Sequence, residues 1–313
     1  MPNKEDDAGG MVRRLALKTR FSEMGWGSTP PSSAKYKRKQ MKQFKIIHHL
    51  DKDDPFLGLK IVEFNPTELC NRLCVFCPRV DPEIFPNRNL HMDITTVEKV
   101  IADLVLHNYK GSIIFSGWGE PTLNREICHM IKIASKHFIV MLITNGDKIF
   151  DSDWYTIDDF IEAGLNTMYV DIYDGREQHK RWLPTIKKYE NKIRFVISPK
   201  YEMPIHQFNN RAGMVLNKKV SSTSCFTAST KAFIDWDGTL QLCCHDWTRT
   251  GAIGNVLNTP LSVLWKSPVL NEIRKKLMYQ LRTTAGKPCS ECNASGDQIN
   301  GKILKEIWAP VLS

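Results

Sequence analysis

Three thiols fall within eight residues in the segment Cys70-Asn71-Arg72-Leu73-Cys74-Val75-Phe76-Cys77. A loop that short can wrap its sulfurs around one compact centre, and thiolate is a ligand for zinc and for iron-sulfur clusters alike. Four ligands would close such a centre, yet the nearest further cysteine in sequence is Cys128. Three thiolates on a four-iron cluster leave one iron without a protein ligand, and an open metal position is what reactive chemistry needs. A zinc knuckle is the alternative for the same spacing.

The residues around these thiols set the elements that must position them. Short apolar runs at Lys60 to Phe64, Ser112 to Ser116, Phe138 to Thr144, Thr167 to Ile172 and Ile193 to Ser198 are bounded by Gly, Asn, Asp or Pro, as buried parallel strands are. Between them lie helical stripes: Val97, Val100, Ile101 and Leu104 share one face, and Leu123, Ile127, Ile131 and Ala134 another. Strand and helix in alternation predict a parallel α/β sheet or barrel, with its chemistry at the carboxyl ends of the strands. The three-thiol loop follows the first strand directly.

After about residue 220 the pattern changes. Phe233 to Cys243 reads as two short strands about the Asp237-Gly238 turn. Ser267-Pro268 reads as an N-cap and first helical position, continued by the stripe Leu270, Ile273, Leu277 and Leu281. Four more cysteines flank these elements, so this second, smaller unit is built around something they bind. Expected boundaries are 1–57 for a basic arm, 58–220 for the α/β unit and 221–313 for the small unit.

The chain of 313 residues is 42% hydrophobic and 25% charged, the composition of a globular protein. Its +9 charge first suggests a nucleic-acid partner, but residues 1–50 hold 11 basic and 4 acidic side chains and so carry most of it. The arm reads as a solvated basic tail, and nothing in the body calls for nucleic acid. No apolar run approaches a membrane span, and nine cysteines without a secretory signal point to the reducing cytoplasm.

The Cys-x3-Cys-x2-Cys loop after a first strand, entered through Glu63-Phe64-Asn65-Pro66-Thr67-Glu68-Leu69, resembles the radical S-adenosylmethionine (SAM) enzymes. That resemblance implies a partial (β/α)6 TIM-like barrel in which Cys70, Cys74 and Cys77 hold a [4Fe-4S] cluster whose fourth iron is chelated by the methionine moiety of SAM. Ser116-Gly117-Trp118-Gly119-Glu120-Pro121 looks like the family's Gly-Gly-Glu-Pro segment, with Trp118 a departure where a small residue is usual. Glycines at 117 and 119 would let the main chain approach a ligand. By the same resemblance, Gly117, Trp118, Gly119, Glu120, Asn145 and Ser198 are candidate SAM contacts.

The Gly238-x4-Cys243 segment, Gly254-Asn255, Leu264-Trp265 and Pro288-Cys289-x2-Cys292 resemble the SPASM and shorter twitch extensions of this family. The cysteine count fits one auxiliary [4Fe-4S] cluster on Cys225, Cys243, Cys289 and Cys292, with structural zinc on the same thiolates as the competing reading. Cys128 reads as a core residue. Cys244 is a candidate hydrogen-atom donor, an alternative ligand to Cys243 or a buried thiol.

The resemblance implies reductive cleavage of SAM to a 5′-deoxyadenosyl radical that takes a substrate hydrogen atom, the electron coming from a donor such as flavodoxin or ferredoxin. Loss of a further electron to the auxiliary cluster gives dehydrogenation, and return of hydrogen on the opposite face gives epimerisation. A sugar or aminocyclitol suits the polar stretch Asp171 to Trp182. Peptide or protein modification is an alternative, and a zinc-stabilised nucleic-acid-binding protein an alternative of another class.

Overall fold

Buried parallel strands need apolar side chains on both faces, and the five short runs supply them. In the computed structural model, which describes residues 53–151, 154–215, 219–279, 281–296 and 301–312, they form β1 (Ile61–Phe64), β2 (Ser112–Phe115), β3 (Ile139–Thr144), β4 (Thr167–Ile172) and β5 (Arg194–Pro199). Each pairs in parallel with its sequence neighbour. The sheet then continues through β6 (Lys231–Ile234), β7 (Thr239–Gln241) and β8 (Ala252–Asn255), in the order β5-β4-β3-β2-β1-β6-β7-β8.

The expected hairpin is present as antiparallel β6 and β7. Its turn is closed by Gly238, whose φ of 83° suits a residue without a Cβ. Strand β6 also lies parallel to β1, with Glu63 opposite Phe233. Six parallel strands therefore make a partial TIM-like barrel, and the strand pairing runs across the expected boundary at residue 220.

The connecting helices follow their stripes. Helix α1 (Ile94–Leu106) starts at Asp93, whose carboxylate accepts the Thr95 amide, and buries Val97, Val100, Ile101 and Leu104. Helix α2 (Ile127–Ser135) buries Ile127, Ile131 and Ala134. After β3 come α3 (Asp147–Asp151) and α4 (Ile157–Glu162), the latter opened by a Thr156–Asp159 capping box. Helix α5 (Arg176–Tyr189) joins β4 to β5. Beyond the barrel lie α6 (Thr227–Thr230), α7 (Leu261–Trp265), α8 (Pro268–Met278) and α9 (Gly301–Leu312).

Two expectations change. Of the arm expected to span 1–57, residues 1–52 lie outside the described residues, but Phe56 and Leu57 are core side chains. The Leu57 carbonyl accepts the Trp265 indole N–H at 3.0 Å, which ties the approach to β1 onto α7. The folded body thus begins before residue 58. Leu281, placed on the α8 stripe, is exposed, because α8 ends at Met278 and the chain leaves the helical path there.

Helix α8 is held by a buried cation. Arg274 lies between the Trp265 and Trp308 rings, its guanidinium carbon 4.0 Å and 4.2 Å from their centroids. It donates to the carbonyls of Ala228 and Trp265 at 2.9 Å and 2.6 Å. A planar guanidinium can stack on two rings while it donates in its own plane, which an ammonium cannot do. Arg274→Ala is expected to lower stability by about 3 kcal/mol, and Arg274→Lys to recover less than half of that. The shift in denaturant midpoint, followed by tryptophan fluorescence, measures both.

Candidate active site

The carboxyl ends of the parallel strands open on a cavity of about 990 Å³. Its wall includes Cys70, Cys74 and Cys77 from the loop after β1, Gly117 to Glu120 after β2, Thr144 and Asn145 after β3, and Ser198 near the end of β5. From the small unit come Cys244, His245 and residues 293–296. The residues expected to serve the first centre are thus brought to one cavity.

The three-thiol loop is fixed by a residue inside it. Arg72, between Cys70 and Cys74, makes paired hydrogen bonds to Asp147 at the start of α3, Nε to Oδ2 and Nη2 to Oδ1, both at 2.7 Å. It makes a second pair to Asp174 after β4, at 2.8 Å and 2.6 Å. A guanidinium matches a carboxylate in this planar, two-point manner, so the contact fixes orientation as well as distance. The hydrogen bond with Arg72 is also the main cause that holds the Asp174 carboxyl below its ordinary range. The neighbouring Asn71 donates to Asp147 at 2.7 Å and accepts from Asn145 at 2.9 Å.

Glu120 is buried, and its acceptors are taken within the protein. Thr122 Oγ1 donates to it at 2.7 Å, Thr144 Oγ1 at 2.5 Å and the Asn145 amide at 2.8 Å. Burial raises its pKa, and these hydrogen bonds oppose the rise. It therefore ties the loop after β2 to the end of β3, which places Asn145 in turn. Ser198 is different: its hydroxyl is buried at the cavity and has no hydrogen-bond partner. A buried hydroxyl of this kind asks for a polar ligand.

The glycines also serve the packing of the chain. A Cβ on Gly117 would overlap the Asn65 side chain, and one on Gly119 the carbonyls of Thr67 and Leu69. Their smallness lets the loop after β2 close against the loop after β1, and both residues line the cavity. Trp118 turns its side chain away into a cluster with Phe85, Phe233, Cys244 and Trp247. Its indole donates to the Cys244 carbonyl at 2.8 Å, so this departure from the family pattern couples the loop to the small unit.

The Asp171–Trp182 stretch divides its work. Asp171 and Tyr173 line the cavity, whereas Asp174 anchors Arg72, and Gln178 accepts the amides of Tyr173 and Asp174. Arg72 and its two carboxylates were not singled out in the sequence, where an Arg between cysteines carries no spacing signal. Glu63 was also silent. It sits buried on β1, accepts from Ser116 and pairs with Lys231 of β6 at 2.9 Å.

The four later thiols line a second cavity: Cys225 before α6, Cys243 after β7, and Cys289 and Cys292 of the loop after α8. Cys128 is half-buried against the hydrophobic core, apart from both groups. All nine cysteines are free.

Both donor sets fit an iron-sulfur group. Burial pushes Cys70 up to about 11 and Cys74 up to about 12, and raises Cys77 as well. Cys243 is raised by burial first and then by the proximity of Cys244, Cys289, Cys292 and Cys225. Thiols gathered in this way become thiolates when a metal supplies positive charge. Among the described residues no three His, Cys, Asp or Glu side chains are arranged to hold a single metal ion. Cys70, Cys74 and Cys77 line one cavity, and Cys225, Cys243, Cys289 and Cys292 the other. The Ala294 amide donates to the Cys292 sulfur at 3.4 Å, a contact that orients a ligand.

Comparison with known proteins agrees with this geometry. The profile of the radical SAM superfamily matches residues 64–196, and that of the SPASM iron-sulfur cluster-binding domain residues 225–293. The S-adenosyl-L-methionine-dependent 2-deoxy-scyllo-inosamine dehydrogenase of Niallia circulans is 22% identical over 239 residues, 74% of this chain and 92% of that protein. Among solved structures, BtrN in complex with AdoMet and 2-DOIA has a TM-score of 0.62 at 20% identity, over 76% of this chain and 94% of that one. BtrN in an open conformation gives 0.55 at 19% identity over the same shares. No helix among the described residues is long and apolar enough to cross a membrane.

Arg72→Gln is expected to weaken iron binding at the first centre by about 10- to 100-fold, as loss of a residue that orients ligands does. The second centre should keep its iron. Iron and sulfide per chain at limiting iron, with the two clusters resolved by electron paramagnetic resonance, measure the difference.

Proposed function

Because this chain belongs to the radical SAM superfamily and carries a SPASM-type iron-sulfur domain, we propose that it dehydrogenates a hydroxyl-bearing carbon of a sugar- or aminocyclitol-like molecule. The cavity carries this reading. Its wall joins the three-thiol loop to Cys244, His245 and residues 293–296 beside the second centre, so a small molecule held there lies between the two. When bound, the first cluster and SAM supply the one-electron cleavage that generates a radical able to take a hydrogen atom from carbon, and the auxiliary cluster supplies an electron acceptor.

The chain's own residues bind, orient and exclude. Cys70, Cys74 and Cys77 would hold the first cluster, and Cys225, Cys243, Cys289 and Cys292 the auxiliary one. Arg72, Asp147 and Asp174 fix the first loop. Ser198 and Asn145 offer polar contacts, and the backbone of Gly117 to Gly119 forms one wall. The ion pairs Lys200–Asp171 at 3.5 Å and Lys231–Glu63 at 2.9 Å present polar groups to a hydroxylated substrate. Phe76, stacked on Phe208 with centroids 3.9 Å apart, gives an apolar side that a ring can pack on.

With both groups in place, a carbinol carbon held in the cavity would give up a hydrogen atom and one further electron, and its hydroxyl proton would pass to water, leaving a carbonyl. An external one-electron donor of flavodoxin or ferredoxin type would start each turnover. The first unit together with β6 serves here as the barrel, and the remainder of the small unit as the auxiliary unit.

Epimerisation is a second reading, favoured by one observation. The Cys244 thiol lines the cavity, and burial, with Glu63 next, pushes it up to about 12, so it keeps the hydrogen a donor needs. With an aminocyclitol deuterated at the reacting carbon, dehydrogenation is expected to carry deuterium into 5′-deoxyadenosine and yield a ketone. Solvent deuterium at that carbon without a ketone would select epimerisation instead. Cys70→Ala, Cys74→Ala or Cys77→Ala should abolish SAM cleavage, measured as 5′-deoxyadenosine. Cys289→Ala should remove the auxiliary cluster and the ketone while SAM cleavage persists.

A further inference from the structure

Two buried or cavity-lining arginines near the auxiliary centre have no carboxylate partner among the described residues. Arg282 lines the four-thiol cavity and is 2% exposed. Its guanidinium donates to carbonyls alone, to Thr223 at 2.8 Å, Ala294 at 2.7 Å, Ser295 at 3.3 Å and Ser224 at 3.5 Å. Arg211 lines the large cavity; among the described residues its Nε is buried without a hydrogen-bond partner, Nη1 reaches the Asn209 amide oxygen at 3.5 Å, and the guanidinium lies over the Phe76 ring at 5.9 Å. Arg72, Arg249 and Lys231 each meet an acid, and Arg274, which does not, is stacked between two tryptophan rings, whereas Arg211 and Arg282 stand in the walls of the cavities that the thiols line.

Arg211 is held there by strained backbone. Arg211, Ala212 and Gly213 take φ of 48°, 53° and 91°, a left-handed run in which two residues carry a Cβ. The run is clamped to the auxiliary loop: Asn210 accepts the Asn293 amide at 3.1 Å, donates its own amide to Asn293 Oδ1 at 2.7 Å, and donates its side-chain nitrogen to the Glu291 carbonyl at 2.8 Å. Ala212 packs on Cys292 and Ala294. The charge of Arg211 is felt at Cys77 and at Cys292, and that of Arg282 at Cys289 and Cys292. His245, in the walls of both cavities, is kept neutral by burial and by Arg211, Lys231 and Arg282. Asp246 also reaches Cys289, but Gly251, Thr248 and Thr250 occupy its oxygens. A buried cation without an acid is costly unless something else supplies the negative charge.

We propose that Arg211 and Arg282 are positioning charges for the auxiliary cluster, facing its thiolates and raising its reduction potential so that it accepts the electron left on the oxidised carbon. The added electron makes the cluster more negative, and fixed positive charge nearby stabilises that state more than the oxidised one. This rests on the dehydrogenase reading above, with the same electron balance: one electron to the auxiliary cluster, one proton to water, and a carbonyl left on the substrate.

The test is an anaerobic potentiometric titration of the reconstituted holoenzyme, followed by electron paramagnetic resonance, in which the auxiliary signal is the one that added SAM leaves unmoved. For Arg211→Gln, the ratio of reduced to oxidised auxiliary cluster at a fixed potential is expected to fall about tenfold, equivalent to about 59 mV for a one-electron couple. Arg211→Lys keeps the charge and should stay close to the unaltered protein. Arg282→Lys, which also keeps the charge, should do the same even though its carbonyl bonds are disturbed. An unmoved midpoint in Arg211→Gln, or an equal fall in Arg211→Lys, overturns the inference while leaving the dehydrogenase reading standing. Absence of a second cluster signal in the unaltered holoenzyme overturns both.

Discussion

The site depends first on the double carboxylate clamp around Arg72. A loop with three thiols in eight residues is short enough to bind a cluster but has no secondary structure of its own to hold its shape. Asp147 and Asp174 take the guanidinium from two directions, each by a two-point contact, and so fix the loop to the ends of β3 and β4. The Asp147 carboxylate is placed by Asn71 and Gln178, Asn71 by Asn145, and Asn145 by Glu120. A single charged group between two ligands thus gathers the ends of three strands around one opening.

A second set of buried polar groups joins the barrel to the small unit. Asn65, at the end of β1, donates to Asp235 after β6 and accepts the Trp118 amide. Asp235 is also bound by Arg249, which reaches back to Glu68 in the approach to the cysteine loop. Each charge in it has more than one partner, and rearranging the whole would leave buried polar groups unpaired, so the network resists rearrangement more than apolar packing would. Together with the parallel β1–β6 pairing, it fixes the distance between the two thiol centres.

Much of this was legible in the chain. The five strands of the first unit lie within one residue of their expected bounds, because short apolar runs between turn residues leave few alternatives. The hairpin and the capped start of α8 were equally plain, since Asp-Gly and Ser-Pro act over a few residues. The pairing of β6 with β1, the burial of Phe56 and Leu57, and the end of α8 at Met278 were not legible. Each depends on what a segment meets across the fold, and local propensity carries no such information.

The sequence by itself marked the candidate ligand sets, since a thiolate's chemistry is set by residue type and the spacing of three in one loop is local. It also determined the strand ends where the cofactor's surroundings would lie. Tertiary structure decided which other side chains serve them. Arg72 meets Asp147 and Asp174 across 75 and 102 positions of chain. The left-handed Arg211 rests on a loop some 80 positions further on, and the glycines at 117 and 119 admit neighbouring chain at close range. Such roles arise from charge meeting charge and backbone meeting backbone at close range, and only folding sets those distances.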